Sequence, residues 1–184
     1  MKGVVFTEFL EMVEERFSEQ MADRIIENSE LASGGAYTTV GTYDHGEMIQ
    51  LVSRLSEETK IPADELLRSF GIHLFGRFHV MFPKYFEGIS SSFDFLQMVD
   101  RYVHVEVLKL YPDAELPSFD CDASQPGCLR MTYRSSRPFA PLAEGLIRGC
   151  VGHYGEAVDI ATEDMSNGTG TAARFVLTKK DAAS

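Results

Sequence analysis

Apolar positions in the first part of the chain recur at helical spacing. Residues at i, i+3, i+4 and i+7 lie on one face of a helix, whereas strict alternation of apolar and polar residues is typical of a half-buried strand. The first pattern prevails as far as Pro112, and Pro62 ends one of its segments, because the residue before a proline disfavours helical geometry. The pattern predicts helices over residues 4–17, 21–26, 44–60, 62–82 and 93–110.

Beyond this point the pattern changes to alternation. It predicts strands over residues 129–137, 157–162 and 174–179. Asn167 and Gly168 predict a hairpin turn between the last two strands. Residues 138–153 return to helical spacing, with Ser136 as the expected cap and Pro138 in the first turn. The predicted fold class is α+β, in which a helical N-terminal part precedes an antiparallel sheet with one inserted helix.

The composition indicates a single domain with its own core. The chain has 184 residues, of which 44% are hydrophobic, and a chain of this size can bury a substantial core. Its formal net charge of −11 repels phosphate backbones, so we predict no nucleic-acid partner. No uncharged run approaches the roughly 20 residues that cross a bilayer, and the N-terminus lacks a cleavage pattern. We therefore predict a cytoplasmic protein without membrane insertion.

The cysteines and the known catalytic motifs change this picture little. Cys121, Cys128 and Cys150 are odd in number and match no zinc or redox spacing, as expected in a reducing compartment. We interpret them as plain small residues, and a reversible disulfide between Cys121 and Cys128 or a redox-sensitive thiol is the alternative. The sequence has no nucleophile elbow, P-loop or HExxH pattern, so we predict that the chain is not an enzyme.

One predicted strand carries three polar side chains on a single face. Successive strand side chains point to opposite sides, so Leu129, Met131, Tyr133, Ser135 and Arg137 share a face. The last three span about 13 Å at roughly 3.3 Å per residue. A guanidinium binds a carboxylate through two hydrogen bonds, and hydroxyl groups add directional ones. This face therefore fits a carboxylate clamp, and an exposed strand with one surface ion pair is the alternative.

His104 is a candidate metal ligand on the predicted helix over residues 93–110. An imidazole on a helix can bind haem iron through one ring nitrogen, or it can pair with Asp100 one turn away. The remaining histidines match no H-x-x-x-H pattern, so we predict no site built from several histidines. These residues are His45, His73, His79 and His153.

Together these features resemble the bacterial H-NOX domain, a haem nitric oxide/oxygen-binding domain related to the haem domain of soluble guanylate cyclase. The resemblance runs from end to end, and it is specific because a helical histidine, a proline and the Y-x-S-x-R motif follow in the expected order. It rests on the opening MKG, FPKYF at residues 82–86, His104, Pro117, the motif residues Tyr133, Ser135 and Arg137, and EGLIRG at residues 144–149.

The resemblance implies one haem-binding domain over residues 1–184, with ferrous haem b as cofactor. Its helical distal subdomain would cover residues 1–60, and its proximal subdomain, with a four-stranded antiparallel sheet, residues 61–184. His104 would be the proximal iron ligand. Pro117 would press on the porphyrin and distort it, and a plain loop proline before a strand is the alternative. Tyr133, Ser135 and Arg137 would hold the two propionates.

The resemblance also directs attention to the distal pocket. Bound oxygen carries partial negative charge and is stabilised by a hydrogen-bond donor, whereas nitric oxide needs none. Oxygen-binding relatives place a tyrosine five residues after the motif arginine, where this chain has Leu142. The six positions expected to line the pocket are all apolar: Val5, Phe9, Leu74, Phe78, Leu142 and Leu146. We therefore predict nitric oxide as ligand, and a donor such as Tyr154 or a bound water would favour oxygen instead.

The resemblance implies a sensor that acts on a separate protein. The expected partners are a sensor histidine kinase or a cyclic-di-GMP enzyme, either a diguanylate cyclase or a phosphodiesterase. An oxygen sensor and a haem-free protein-interaction module are the alternatives. Some bacterial relatives carry a Cys/His zinc cluster at the final hairpin. Cys150 and His153 lie on the preceding helix, but residues 157–177 contain neither residue type, so we predict that this cluster is absent.

Overall fold

The computed structural model describes residues 1–180 and confirms the α+β class. In this range the chain forms seven α-helices and four strands, and the last helix lies between the second and third strands in the sequence. The helices are α1 (Gly3–Arg16), α2 (Glu19–Glu27), α3 (His45–Thr59), α4 (Ala63–Met81), α5 (Ser92–Met98), α6 (His104–Leu110) and α7 (Ala140–His153). The strands are β1 (Ser118–Asp122), β2 (Cys128–Arg134), β3 (Val158–Asp164) and β4 (Ala172–Lys179).

The predicted helix over residues 93–110 contains a segment with a different hydrogen-bond pattern. A π-helix, Val99–Val103, separates α5 from α6, so that His104 is the first residue of α6. Each π-turn holds one residue more than an α-turn, and such insertions are common at functional sites. The apolar spacing predicted one helix here, and the helical run is unbroken from Ser92 to Leu110, but the spacing did not indicate the π-helix within it.

The sheet is antiparallel throughout and has the strand order β1-β2-β4-β3. β1 was missed by the pattern analysis, although it pairs Phe119 with Tyr133 of β2. β2 ends at Arg134, three residues before the predicted end. Ser135 and Arg137 therefore lie in the turn after the strand, and only Tyr133 of the three polar residues is on it.

The start of α7 also differs from the prediction. Phe139 is the N-cap residue and supplies no side-chain cap, and Pro141 rather than Pro138 lies in the first turn. The Ser135 hydroxyl accepts a hydrogen bond from the Arg137 backbone N–H at 3.0 Å. This local turn delays the helix, so Ser136 and Pro138 precede it. The Ala140 N–H donates instead to the carbonyl of Gly170.

Two apolar cores share the helix pair α4 and α7. The first core contains Leu74 and Leu142, and the second contains Phe75 and Ile147. α4 contributes to both, so the helical core extends beyond residue 60, and the division into subdomains at that residue stays a prediction. No helix among residues 1–180 has the length and apolar character needed to cross a membrane.

Glycines bring α4 and α7 into backbone contact. A methyl group built on Gly71 would lie 2.7 Å from the Cα atom of Gly145, and one built on Gly149 would lie 2.7 Å from the Cβ atom of Phe75. Residue numbers of the facing positions increase in the same direction along both helices, so the two helices run parallel. Their C-terminal ends therefore lie at the same end of the molecule.

Candidate functional site

His104 lies beside Asp100 in a mostly buried position. Its side chain is 15% exposed, and its Nδ1 atom lies 3.3 Å from the Asp100 Oδ1 atom. The same carboxylate oxygen accepts a hydrogen bond from the backbone N–H of Phe119 in β1. An imidazole that donates Nδ1–H to a carboxylate presents Nε2 as the free lone pair. Asp100, considered from the sequence only as a rival explanation, thus contacts Nδ1 in an arrangement that is compatible with a ligand role for Nε2.

The electrostatics of His104 favour the neutral imidazole that binds metals. Burial lowers the pKa of His104, and the hydrogen bond and charge of Asp100 oppose this shift without cancelling it. Only the neutral ring offers a nitrogen lone pair, so a lowered pKa keeps the ligand form populated at neutral pH.

A cavity of about 380 Å³ brings His104 and Pro117 together. We call it the His104 cavity. Apolar side chains from α6 and from the segment before β1 form most of its wall, while Asp100 and Ser118 provide the polar part. The apolar residues around it are Val105, Leu108, Ala114, Leu116 and Pro117. The cavity therefore combines a potential iron ligand with an apolar wall, which is the chemistry a porphyrin requires.

Tyr133 is buried in the sheet, with 2% of its surface exposed. Its ring lies between those of Phe119 and Phe175, at centroid distances of 5.6 and 6.4 Å. Phe119 in turn lies 6.0 Å from His104. Burial raises the pKa of Tyr133, so the phenol is a neutral donor at neutral pH.

Arg137 is held from one side only. Its Nη2 atom donates to a carboxylate oxygen of Glu115 at 2.8 Å, and its Nη1 atom donates to the Glu115 carbonyl at 3.4 Å. The guanidinium is largely buried, and its Nε atom has no hydrogen-bond partner among residues 1–180. A buried donor left without a partner is costly. Arg137 therefore already binds one carboxylate and has a further N–H for another, which fits a propionate.

Glu115 was not singled out from the sequence. It lies two residues before Pro117, but the chain contains 28 acidic residues, and nothing in the local spacing distinguishes this one. Only the folded chain shows that it connects the segment before β1 to the Y-x-S-x-R turn.

Six apolar residues predicted for the distal pocket all belong to one part of the first core. Phe9, Leu74 and Leu142 are buried in this core, and Val5, Phe78 and Leu146 are partly buried and pack against it, Leu146 also against the second core. We call these six residues the apolar set. None of their side chains can donate a hydrogen bond. The structure brings them together, and their role around a bound gas stays a prediction.

Ion pairs hold α4 to both of its neighbours, and the sequence analysis missed them. The Arg77 Nε atom lies 2.6 Å from the buried Glu8 carboxylate of α1. On the other side, Glu144 of α7 is bound by Arg68 at 3.1 Å and by Arg148 at 2.7 Å. Although burial opposes ionisation, the bonds from Arg148 and Arg68 hold the pKa of Glu144 below its usual range.

Comparison with protein families and solved structures shows what the chain is similar to. The haem-NO-binding family model matches residues 2–162. An Fe(II) unliganded H-NOX protein from K. algicida is 36% identical, with a TM-score of 0.93 over 100% of this chain and 99% of that one. An IWP-051-bound H-NOX from Shewanella woodyi in the Fe(II)CO ligation state is 41% identical, with a TM-score of 0.84 over 100% and 97% of the two chains.

A longer curated relative matches more weakly. Soluble guanylate cyclase gcy-35 of Caenorhabditis elegans is 24% identical over an alignment of 159 residues, which covers 80% of this chain and 22% of that protein. The chain thus spans about a fifth of the length of this relative.

Proposed function

Because the chain belongs to the haem-NO-binding family, whose H-NOX members are haem-binding gas sensor domains, we propose that it is a nitric oxide sensor with ferrous haem b bound through His104. The observation that carries the proposal is the arrangement of His104: Asp100 contacts Nδ1, and Nε2 has no hydrogen-bond partner among residues 1–180, while His104 lines the His104 cavity. When bound, the haem iron supplies the site at which a diatomic gas is ligated.

In this proposal, Arg137, Ser135 and Tyr133 hold the haem propionates. Arg137 has an unpartnered buried N–H for a carboxylate, and Tyr133 is a neutral phenol. Pro117 lies in the same cavity wall as His104, where it would contact a bound porphyrin. The carboxylate of Glu115 keeps the guanidinium in place from the opposite side.

The apolar set favours nitric oxide over oxygen. A donor to the outer oxygen atom would stabilise a polarised oxygen complex. The side chains of the six residues offer no donor, and Leu142 occupies the position where the resemblance expects a tyrosine in oxygen binders. Nitric oxide needs no such donor, so apolar surroundings do not weaken its binding.

The signal in this proposal starts at His104 and ends on a separate protein. His104 is linked through Asp100 to the backbone of β1, and α4 is held by ion pairs to α1 and α7. A change in the position of α6 is therefore passed through Asp100 to β1 and the second core, and the ion pairs of α4 connect that core's helices α4 and α7 with α1. The partner is a sensor histidine kinase or a cyclic-di-GMP enzyme in the cytoplasm, and it must prefer one of two conformations for the change to carry information. The chain has no catalytic role.

Substitution of His104 tests the ligand assignment. We expect the His104→Gly variant to lose axial ligation of the haem iron and to regain it when imidazole is added, as measured by absorption spectroscopy. His153→Gly is a suitable control, because this histidine lies at the exposed end of α7. Normal ligation in His104→Gly without imidazole would exclude His104. A wild-type chain that takes up no haemin would favour the haem-free interaction module.

A further inference from the structure

Two histidines that are 74 positions apart in the sequence meet where α4 and α7 end. His79 lies in the last turn of α4, and His153 is the last residue of α7. The centroids of their rings are 4.1 Å apart, and the ring planes are inclined by 47°. The sequence analysis predicted no site with several histidines, because the spacing of these two residues matches no motif.

Packing fixes the position of this histidine pair. The glycine contacts between α4 and α7 set the distance between the helices, and Gly149 lies directly against Phe75. The ring of Phe86 packs edge-on against His79 at 4.9 Å, and the ring of Phe75 lies 5.9 Å from His153. The imidazoles are therefore close because the two helices place them side by side.

The ends of the two helices make the surroundings attractive to a cation. Each helix C-terminus carries about half a negative charge from its unpaired carbonyl groups. α4 and α7 run parallel, so two such ends lie side by side, and a cation between them is stabilised by both. This electrostatic argument is independent of the identity of the two side chains.

The imidazoles are chemically free to bind. Neither ring makes a hydrogen bond to any of residues 1–180, and the His153 side chain is exposed, so an ion can reach it. Burial and the neighbouring His79 lower the pKa of His153, which favours its neutral form with an available lone pair. Neutral imidazole is the form that coordinates metals.

We propose that His79 and His153 form a binding site for one divalent transition-metal ion of the kind that imidazole prefers, namely Cu²⁺, Ni²⁺ or Zn²⁺. No group of three or more His, Cys, Asp or Glu side chains suited to a metal occurs in the described part of the chain. Water completes the coordination, and the affinity follows the order in which Cu²⁺ exceeds Ni²⁺ and Zn²⁺. Because α4 and α7 contribute to both cores, the bound ion ties their C-terminal ends together.

Calorimetric titration of the 184-residue chain without an affinity tag, using CuSO₄, NiCl₂ and ZnCl₂ in turn, tests the site. We expect one saturable site whose affinity falls about tenfold or more in both His79→Gln and His153→Gln, since loss even of a supporting residue around a metal ligand costs 10–100-fold. His45→Gln is the matched control and should bind as the wild type does. Electron paramagnetic resonance of the Cu²⁺ complex should show two coordinated nitrogens.

The proposal is overturned by absence of saturable binding, or by binding that persists in both variants. Persistent binding would point to His104 or to a cysteine as the ligand. Thermal unfolding separates a structural effect from a lost ligand: the ion should raise the midpoint of the wild type and of His45→Gln, but not that of either site variant. Equal midpoints of all four proteins without metal would show that the variants are folded.

Discussion

The His104 cavity and the apolar set differ in the interactions that hold their side chains in place. Around the cavity, polar groups have specific partners: Asp100 binds both His104 and the backbone of β1, and Glu115 binds Arg137. The apolar set has only packing contacts within the first core. Substitutions around the His104 cavity should therefore alter binding with little effect on folding. Substitutions in the apolar set should alter folding when they remove a side chain, and the preferred gas when they introduce a donor.

The largest effect should come from emptying a position of the apolar set. Phe9 is 0% exposed and packs against Phe70 at a ring-centroid distance of 5.2 Å. We expect Phe9→Ala to lower the free energy of unfolding by about 3–5 kcal/mol, measured by denaturant titration. Phe82→Ala, at a position that is 37% exposed, should cost much less. Equal losses in the two variants would mean that the apolar set is not a packed core.

Removing Arg137 should change cofactor retention more than stability. A hydrogen bond to a charged group contributes about 1.5–3 kcal/mol, so Arg137→Ala should release haem about 10- to 100-fold faster, measured by transfer of haem to an acceptor protein. Arg134→Ala is the control, because this arginine is exposed at the end of β2. If both variants release haem at the wild-type rate, the carboxylate clamp is excluded.

Placing a donor in the apolar set should change the preferred gas. The phenol of Leu142→Tyr would offer a hydrogen bond to a polarised ligand, worth up to about 1.5–3 kcal/mol. We expect this variant to hold oxygen more tightly than the wild type does, measured by oxygen titration of the ferrous protein. Leu142→Phe has the ring without the hydroxyl group and should not gain affinity. A gain in both variants would point to shape rather than hydrogen bonding.

A smaller effect is expected from the ion pairs of Glu144 between α4 and α7. The pKa of Glu144 is lower in the folded chain than in the unfolded one, so its ion pairs with Arg68 and Arg148 stabilise the fold above about pH 4.3, the usual pKa of glutamate. This contribution is lost as the pH falls through the folded value. Glu144→Gln should flatten the decline of unfolding free energy below about pH 5, unlike Glu14→Gln at an exposed position. An unchanged decline would contradict the shift.

The two regions also differ in how far the sequence predicted them. The spacing of apolar residues predicted most of the helices. The order of His104, Pro117 and the Y-x-S-x-R motif directed attention to the residues around the His104 cavity. The apolar set has no signature of its own, since Phe9 or Leu142 would be core in any fold. It was predicted only through the family resemblance, in which Leu142 is placed by its distance from Arg137, and its role stays a prediction.

What the sequence analysis missed has two physical causes, which are local hydrogen bonding without an apolar pattern and contacts between distant segments. The π-helix before His104 changes backbone pairing while keeping its side chains helical in appearance. The Ser135 hydroxyl binds the Arg137 N–H, which ends β2 early and shifts the start of α7. Glu115 and the pair of His79 with His153 depend on contacts between distant segments. No periodicity within a segment contains that information.

The absorption spectrum of the purified ferrous protein, recorded first in air and then with nitric oxide, tests the central claim most directly. The account predicts no stable oxygen-bound spectrum in air, because the apolar set provides no donor. With nitric oxide it predicts a five-coordinate spectrum, which means that the bond from iron to His104 has been released. A stable oxygen-bound spectrum in air, together with a six-coordinate spectrum under nitric oxide, would contradict it.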